Sequence, residues 1–265
     1  MKPLRVFVVL FGLADLVLTI GYYLRLPWAT STWPWPAEPL DFLLISSFLA
    51  GATVVILWLG LVGDWGAAAG ATMNVGLMNA GAAAYLFHRW HESQPHDAAL
   101  LRRAIAFTVF AIVNAGVLAW SLRQPIRDGR KIDKFLHVSL TVFTIVLLIA
   151  SVQLFRQSPT IFPWELEPET SIMFGWLFLG SAVYFGWATI RPSWHNARGQ
   201  LLAFLAYDLV LILPYALLFP SVQPEHFTSL CIYMAVLVYS TLLAIYYLFI
   251  NKKTRGWRIV AAPRE

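Results

Sequence analysis

The chain has little charge and almost no cysteine. Only 12% of its 265 residues are charged, whereas a soluble globular domain typically has about 25%. Its single cysteine, Cys231, excludes an intramolecular disulfide and every Cys-based zinc or iron–sulfur motif. No P-loop, glycine-rich dinucleotide turn or Gly-x-Ser-x-Gly elbow occurs either. The sequence therefore has no evident catalytic motif and identifies no cofactor.

Long apolar runs are the dominant feature that is present. The chain is 59% hydrophobic, and its mean hydropathy is +0.66. A bilayer core about 30 Å thick needs roughly 20 apolar residues per helix, and unpaired backbone groups are not tolerated in lipid. The sequence thus predicts an all-α, polytopic transmembrane bundle of eight helices, at 4–24, 41–62, 67–88, 102–122, 134–155, 171–190, 200–219 and 227–250. The first run also fits a cleaved signal peptide, but no A-x-A site follows it.

The basic residues are unevenly divided between the two sides of the predicted bundle. Of the 19 Lys and Arg residues, one side has only Arg25, Arg89, Arg102, Arg103 and Arg156. Cytoplasmic loops are enriched in Lys and Arg, so both termini are predicted to be cytoplasmic, in a multi-pass protein of the cell membrane. The basic segments "RQPIRDGRKIDK" and "NKKTRGWRIVAAPRE" are expected to bind anionic lipid headgroups. Because the charges form no continuous stripe, nucleic acid is not an expected partner.

One unusual cluster occurs twice: "WPWPAEP" at 33–39 returns 129 positions later as "FPWELEP" at 162–168. Shared hydrophobicity alone would match Leu and Ala, but the ungapped window matches tryptophans, prolines and a glycine. We therefore predict two four-helix repeats, 1–130 and 131–265, facing the same way about an axis along the membrane normal. The glycine pair predicts a close helix approach. The matched pairs are Pro34/Pro163, Trp35/Trp164, Glu38/Glu167, Pro39/Pro168, Gly51/Gly180, Val54/Val183, Trp58/Trp187 and Trp65/Trp194.

The repeated cluster is predicted to start a helix and anchor it at the membrane interface. Pro39 and Pro168 suit a first helical turn, where a missing N–H costs nothing. Trp35 and Trp164 are expected at the headgroup level, where an amphipathic indole is favoured. The alternative prediction is that the repeated cluster forms a loop that faces a ligand.

Two ionisable residues, Asp15 and Asp208, fall inside predicted spans, where charge is costly and often functional. The repeat places Asp208 opposite Asn79, so the two could bind a cation or relay a proton between the halves, with Pro214 breaking the helix. The alternative is that both aspartates merely hold helices together. Candidate partners of Asp208 are Tyr207, Asn74, Asn79 and Asn114.

A second group of chemically active residues lies in the outer loop "FHRWHESQPHD". His88, His91, His96 and Glu92 offer metal-type donors, and His88 and His91 share a face if the helix continues through them. No specific spacing such as His-Glu-x-x-His is met, so a solvated loop is the alternative.

Three classes of function remain. Short loops and sparse charge favour a non-catalytic membrane component, either a small-molecule or lipid-binding protein or a subunit of a larger complex or homo-oligomer. The second class is a secondary transporter coupled through Asp208, and the third is an enzyme acting on a lipid or quinone. With its Trp-Pro-rich first outer loop, the chain resembles eight-helix bacterial membrane proteins, a likeness that assigns no function.

Overall fold

The computed structural model describes residues 2–93 and 97–254, and it is helical throughout, with no β-strand in those ranges. Short 3-10 turns, Trp65–Ala67 and Pro224–His226, precede the fourth and ninth helices, and a π-helical turn, Tyr246–Ile250, extends the ninth. The helices are α1 (Lys2–Tyr23), α2 (Pro27–Thr30), α3 (Pro39–Val62), α4 (Ala68–Glu92), α5 (Ala98–Ser121), α6 (Lys134–Phe155), α7 (Pro168–Ile190), α8 (Trp194–Leu218) and α9 (Phe227–Ile245).

Seven of these helices are long and apolar enough to cross a membrane, namely α1, α3, α5, α6, α7, α8 and α9 with its flanking turns. A multi-pass helical membrane protein is therefore confirmed. With 25 residues, α4 has the length of a span, but alanine, glycine and asparagine make it less apolar than the others. The eighth crossing stays a prediction.

The repeated cluster starts α3 and α7 as predicted. Pro39 and Pro168 are the first residues of these helices, and Glu38 and Glu167 occupy the N-cap positions. In α3, an oxygen of the Asp41 carboxylate accepts a 2.7 Å hydrogen bond from the Glu38 backbone N–H. Proline lacks the N–H that would be unpaired there, and carboxylates are favoured at the positive end of a helix.

The predicted break at Pro214 is wrong, because α8 continues through this proline to Leu218. Proline inside a membrane helix is tolerated where surrounding groups satisfy the freed backbone. The helix also begins earlier than the predicted residue 200. Its first N–H groups find partners on the loop before α6: Trp194 N–H donates to Arg130 O at 2.7 Å, and His195 N–H donates to Asp128 O at 3.1 Å.

Each contact between long helices within the first half has an equivalent contact within the second half, and the two main contacts between the halves are equivalent to each other. The 129-residue offset relates α1, α3, α4 and α5 to α6, α7, α8 and α9, respectively. Within each half, α1 packs on α3 and α4 on α5, matching α6 on α7 and α8 on α9. Across the halves, α3 packs on α8 and α7 packs on α4. A two-fold relation between the repeats requires such a pattern, and that relation remains a prediction.

Glycines allow the close approach of the helices from different halves. A Cβ added to Gly51 in α3 would lie 3.2 Å from the carbonyl oxygen of Ala203 in α8. A Cβ added to Gly180 in α7 would lie 2.7 Å from the carbonyl oxygen of Asn74 in α4. The offset makes Gly51 equivalent to Gly180 and Asn74 equivalent to Ala203. The close helix approach predicted at these glycines is therefore confirmed.

Burial decreases from the central to the outer helices. The spans α3 and α7 are the most buried, whereas α1 and α5 are the least. Large apolar side chains such as Phe7 on α1 and Ile112 on α5 are exposed. An apolar outer surface is suited to lipid, where no water is available to solvate polar groups.

We expect Gly180→Ala to destabilise the protein by about 1–3 kcal/mol, because its new methyl group meets the backbone of Asn74. The matched control is Gly116→Ala on α5, where an added Cβ meets nothing within 4 Å. That control should be neutral or stabilise by up to about 1 kcal/mol through helix propensity. Equilibrium unfolding in bicelles measures both, and equal losses would contradict the close contact.

Candidate functional site

The bundle has two polar ends. The first, called the Asp64 end, contains the end of α3, the loop between α5 and α6 and the start of α8. Arg5 and Arg127 both donate to the Val62 carbonyl here, the latter at 3.2 Å. The second, called the Trp164 end, contains the starts of α3, α7 and α9.

Asp208 is buried in α8 and faces α9. One of its carboxylate oxygens accepts a 3.0 Å hydrogen bond from the Thr241 hydroxyl, and the other has no hydrogen-bond partner in the described part of the chain. Asn79 instead donates to Val75 O within its own helix at 2.6 Å. Within residues 2–93 and 97–254 no hydrogen bond joins Asp208 to Asn79. A shared coupling site of these two residues thus stays a prediction that no contact supports.

The other predicted partners of Asp208 have different contacts. Asn74 packs its backbone against Gly180. Asn114 donates to Phe110 O in α5 at 2.9 Å. The Tyr207 ring packs edge-on against Phe48, with the ring centroids 5.2 Å apart. The structure does not gather these side chains around the carboxylate.

Asp15 connects α1 to α3. Its carboxylate accepts a 2.7 Å hydrogen bond from the Thr53 hydroxyl, which lies 3.2 Å from the Thr19 hydroxyl. This geometry corresponds to the alternative in which Asp15 holds two helices together.

The predicted metal residues between α4 and α5 are only partly described. Helix α4 does continue through His88 and His91 to Glu92, and all three side chains are exposed. His88 Nε2 lies 3.4 Å from a Glu92 carboxylate oxygen. His96 lies outside the described residues. No group of three ligands forms among the described residues of this loop, so its metal site remains a prediction.

The position of Trp164 at the headgroup level stays a prediction, but its side chain faces the interior of the protein. Trp164 is buried, and its indole N–H donates a 2.8 Å hydrogen bond to the buried carboxylate of Asp41. A buried carboxylate needs donors, and this one recruits the indole across the two halves. Trp35 is half-buried, with its ring centroid 5.7 Å from that of Tyr85.

A buried Asp–His pair that the sequence did not predict lies at the Asp64 end. The left-handed conformation of Gly63, with φ 72°, ends α3 and turns the chain into Asp64. A carboxylate oxygen of Asp64 lies 3.1 Å from Nδ1 of His195, and both side chains are buried. Because a carboxylate only accepts, Nδ1 carries the hydrogen and the imidazole is held in one orientation. Such a histidine can exchange a proton or bind a ligand through Nε2.

Gly66 makes room for the His195 ring. A Cβ added to Gly66 would lie 3.0 Å from Nε2 of His195. The offset makes Gly66 equivalent to His195, and Asp64 equivalent to Ser193. The two copies therefore carry complementary rather than identical residues where they meet.

Charged groups surround this pair. The Arg130 guanidinium donates two hydrogen bonds to the Asp128 carboxylate, at 2.8 and 2.6 Å. Burial alone would raise the pKa of Asp128, but the hydrogen bonds and charge of Arg130 outweigh it and lower that pKa. The guanidinium of Arg198 lies 5.8 Å from the ring centroid of Trp58.

Several buried polar atoms near this end lack hydrogen-bond partners in the described chain. Tyr184 lies between Gly70 of α4 and Gly199 of α8, at the meeting of the halves. Gln200 uses its Nε2 to donate to Tyr184 O at 2.6 Å, which leaves its own oxygen unpaired. The unpaired atoms are Trp58 Nε1, Asp64 Oδ1, Tyr184 OH, Trp187 Nε1, Ser193 Oγ, Trp194 Nε1 and Gln200 Oε1. Together with His195 these eight residues are called the Asp64-end cluster.

The repeat contained a signal for this cluster. Trp65 and Trp194 were matched, and Asp64 and His195 are their immediate neighbours. Both lie outside the predicted spans and the predicted metal loop, which contain every ionisable residue that was predicted to be functional. Their burial depends on the contact between the two halves.

Comparisons with known proteins found no relative: no family model matches the chain, and neither a curated protein nor a solved structure matches it.

We expect Asp128→Asn to lower the thermal stability at neutral pH by removing the ion pair with Arg130. The folded-state pKa of Asp128 lies below its ordinary value of 3.8, so ionised Asp128 stabilises the fold above that pH. This contribution is lost as the pH falls through the lower folded-state pKa. The difference in Tm between wild type and variant should therefore shrink below about pH 4. A difference that is constant with pH would contradict this linkage.

Proposed function

We propose that the chain is a membrane protein that binds a small molecule or lipid. The polar group of this ligand binds at the Asp64-end cluster, where the two halves of the protein meet. The observation that carries this proposal is the concentration of buried, unpaired polar atoms at that end. The proposal includes eight crossings, cytoplasmic termini and a bacterial-type cytoplasmic membrane.

The position of α4 supports the eighth crossing. Its start follows the Trp65–Ala67 turn at the Asp64 end. Near its other end, Arg89 donates a 3.0 Å hydrogen bond to Glu169, which lies in the first turn of α7 at the Trp164 end. A helix that runs from one end of the bundle to the other, beside helices that cross the bilayer, is expected to cross as well.

Energetics support a bound polar group. A buried donor or acceptor left without a partner costs about 1–3 kcal/mol. Indole N–H groups can only donate, so each of Trp58, Trp187 and Trp194 requires an acceptor atom. An oxygen-rich group, such as the phosphate or carboxylate head of an amphiphile, offers acceptors of this kind. The basic loops at this end suit an anionic headgroup.

The proposal is tested by whether Tyr184→Phe raises or lowers the Tm of the protein. With a ligand in place, Tyr184→Phe removes a donor and should lower both Tm and ligand occupancy, the latter by about tenfold. Without a ligand, the same change removes an unpaired hydroxyl and should raise Tm. Tyr215→Phe is the matched control, because its hydroxyl is also buried and unpaired in the described chain but lies at the Trp164 end.

Native mass spectrometry of gently solubilised wild type and both variants measures occupancy, and thermal unfolding in the same detergent measures Tm. A wild-type protein without a bound molecule, together with a stabilised Tyr184→Phe variant, would contradict the proposal. The same spectra report co-purifying subunits or self-association, which the reading as a complex subunit requires.

Ion coupling at Asp208 is a second candidate function, favoured by a buried carboxylate with one oxygen unpaired in the described chain. If Asp208 carries a proton, wild type in liposomes should conduct protons under an imposed potential, and Asp208→Asn should not. Asp15→Asn is the control, because it also removes a carboxylate from a membrane-spanning helix but leaves Asp208 in place. A wild-type flux no faster than that of empty liposomes would count against this function.

A further inference from the structure

Three potential metal ligands converge at the Trp164 end, away from the cluster described above. Glu165 lies in the loop between α6 and α7, while Glu225 and His226 lie in the turn that precedes α9. One carboxylate oxygen of each glutamate and a ring nitrogen of His226 all lie within 4.8 Å of one another. Both glutamates are exposed and the histidine is buried.

Hydrogen bonding fixes which nitrogen of His226 is available. Its Nδ1 lies 2.9 Å from the carbonyl oxygen of Phe162, and a carbonyl can only accept, so Nδ1 carries a hydrogen. Its Nε2 faces Glu225, with 4.0 Å between this nitrogen and the nearer carboxylate oxygen. That separation is too long for a hydrogen bond.

A neutral His226 would direct a lone pair at carboxylate oxygens, which carry lone pairs themselves. A cation between the ligands makes such an arrangement favourable. Metal-binding histidines usually donate their other N–H to a backbone carbonyl or carboxylate, which orients the ring. Phe162 O has this role for His226.

We propose that Glu165, Glu225 and His226 bind a divalent transition-metal ion such as Zn²⁺. Imidazole nitrogen and carboxylate oxygen are both common zinc ligands. Two carboxylates neutralise the charge of the ion, and their exposure leaves a route for the ion to enter from solvent. Three protein ligands also leave coordination positions for water.

The site corresponds to the metal loop predicted in the first half. The 129-residue offset makes Glu225 and His226 equivalent to His96 and Asp97. The second half adds Glu165 from its copy of the repeated cluster, where the first half has Pro36. A carboxylate at the position of Glu165 therefore occurs only in the second half.

Isothermal titration of tag-free, chelator-treated protein with Zn²⁺ tests the proposal. Wild type should bind one ion saturably at this site. Glu165→Gln and Glu225→Gln should each weaken that binding at least tenfold, because each removes a charged ligand while preserving shape. Glu167→Gln is the matched control, since it removes an exposed carboxylate from the same loop. It should change the affinity less than twofold.

His226→Gln removes the nitrogen ligand and should abolish binding, with its circular dichroism and elution volume verifying that the variant is folded. Absence of saturable Zn²⁺ binding in wild type would overturn the proposal. An equal loss in Glu167→Gln would overturn it too. So would loss of all binding in a His88→Gln/His91→Gln variant, which would assign the ion to the last turns of α4. None of these results depends on the Asp64-end cluster.

Discussion

Close contact between helices of different halves holds the bundle together. In lipid, no hydrophobic force draws apolar helices together, so their association depends on tight packing and on polar contacts. Gly51 and Gly180 allow α3 to approach α8 and α7 to approach α4. Consecutive long helices of the same half, α3 with α4 and α7 with α8, contact each other far less. The outer helices α1, α5, α6 and α9 then pack on this central group.

Two buried polar contacts fasten the ends of this central group, and each joins one half to the other. The Trp164 indole donates to Asp41 at one end, and the Asp64 carboxylate pairs with His195 at the other. A buried charge is costly unless it is paired, so loss of either partner would leave the other uncompensated. Such contacts specify one register between the halves more than they add stability.

The predicted equivalence of the two halves does not extend to their polar residues. The positions equivalent to Asp41 and Asp64 hold Thr170 and Ser193, and the position equivalent to His195 holds Gly66. Gly66 and His195 meet, so both cannot hold a large side chain: His195 provides the ring and Gly66 leaves the space for it.

The sequence alone determined the class of the molecule and the starts of α3 and α7. Length and continuity of the apolar runs are local properties, and so are the preferences of Pro39 and Pro168 for a first helical turn. The repeat indicated which glycines face a neighbouring helix. It did not show that Trp164 turns inward or that α8 continues through Pro214, because both depend on what surrounds these residues. Tertiary structure alone brought Asp64 to His195, 131 residues apart, and Glu165 to Glu225 and His226. Convergence of such distant side chains depends on helix packing, which no local pattern encodes.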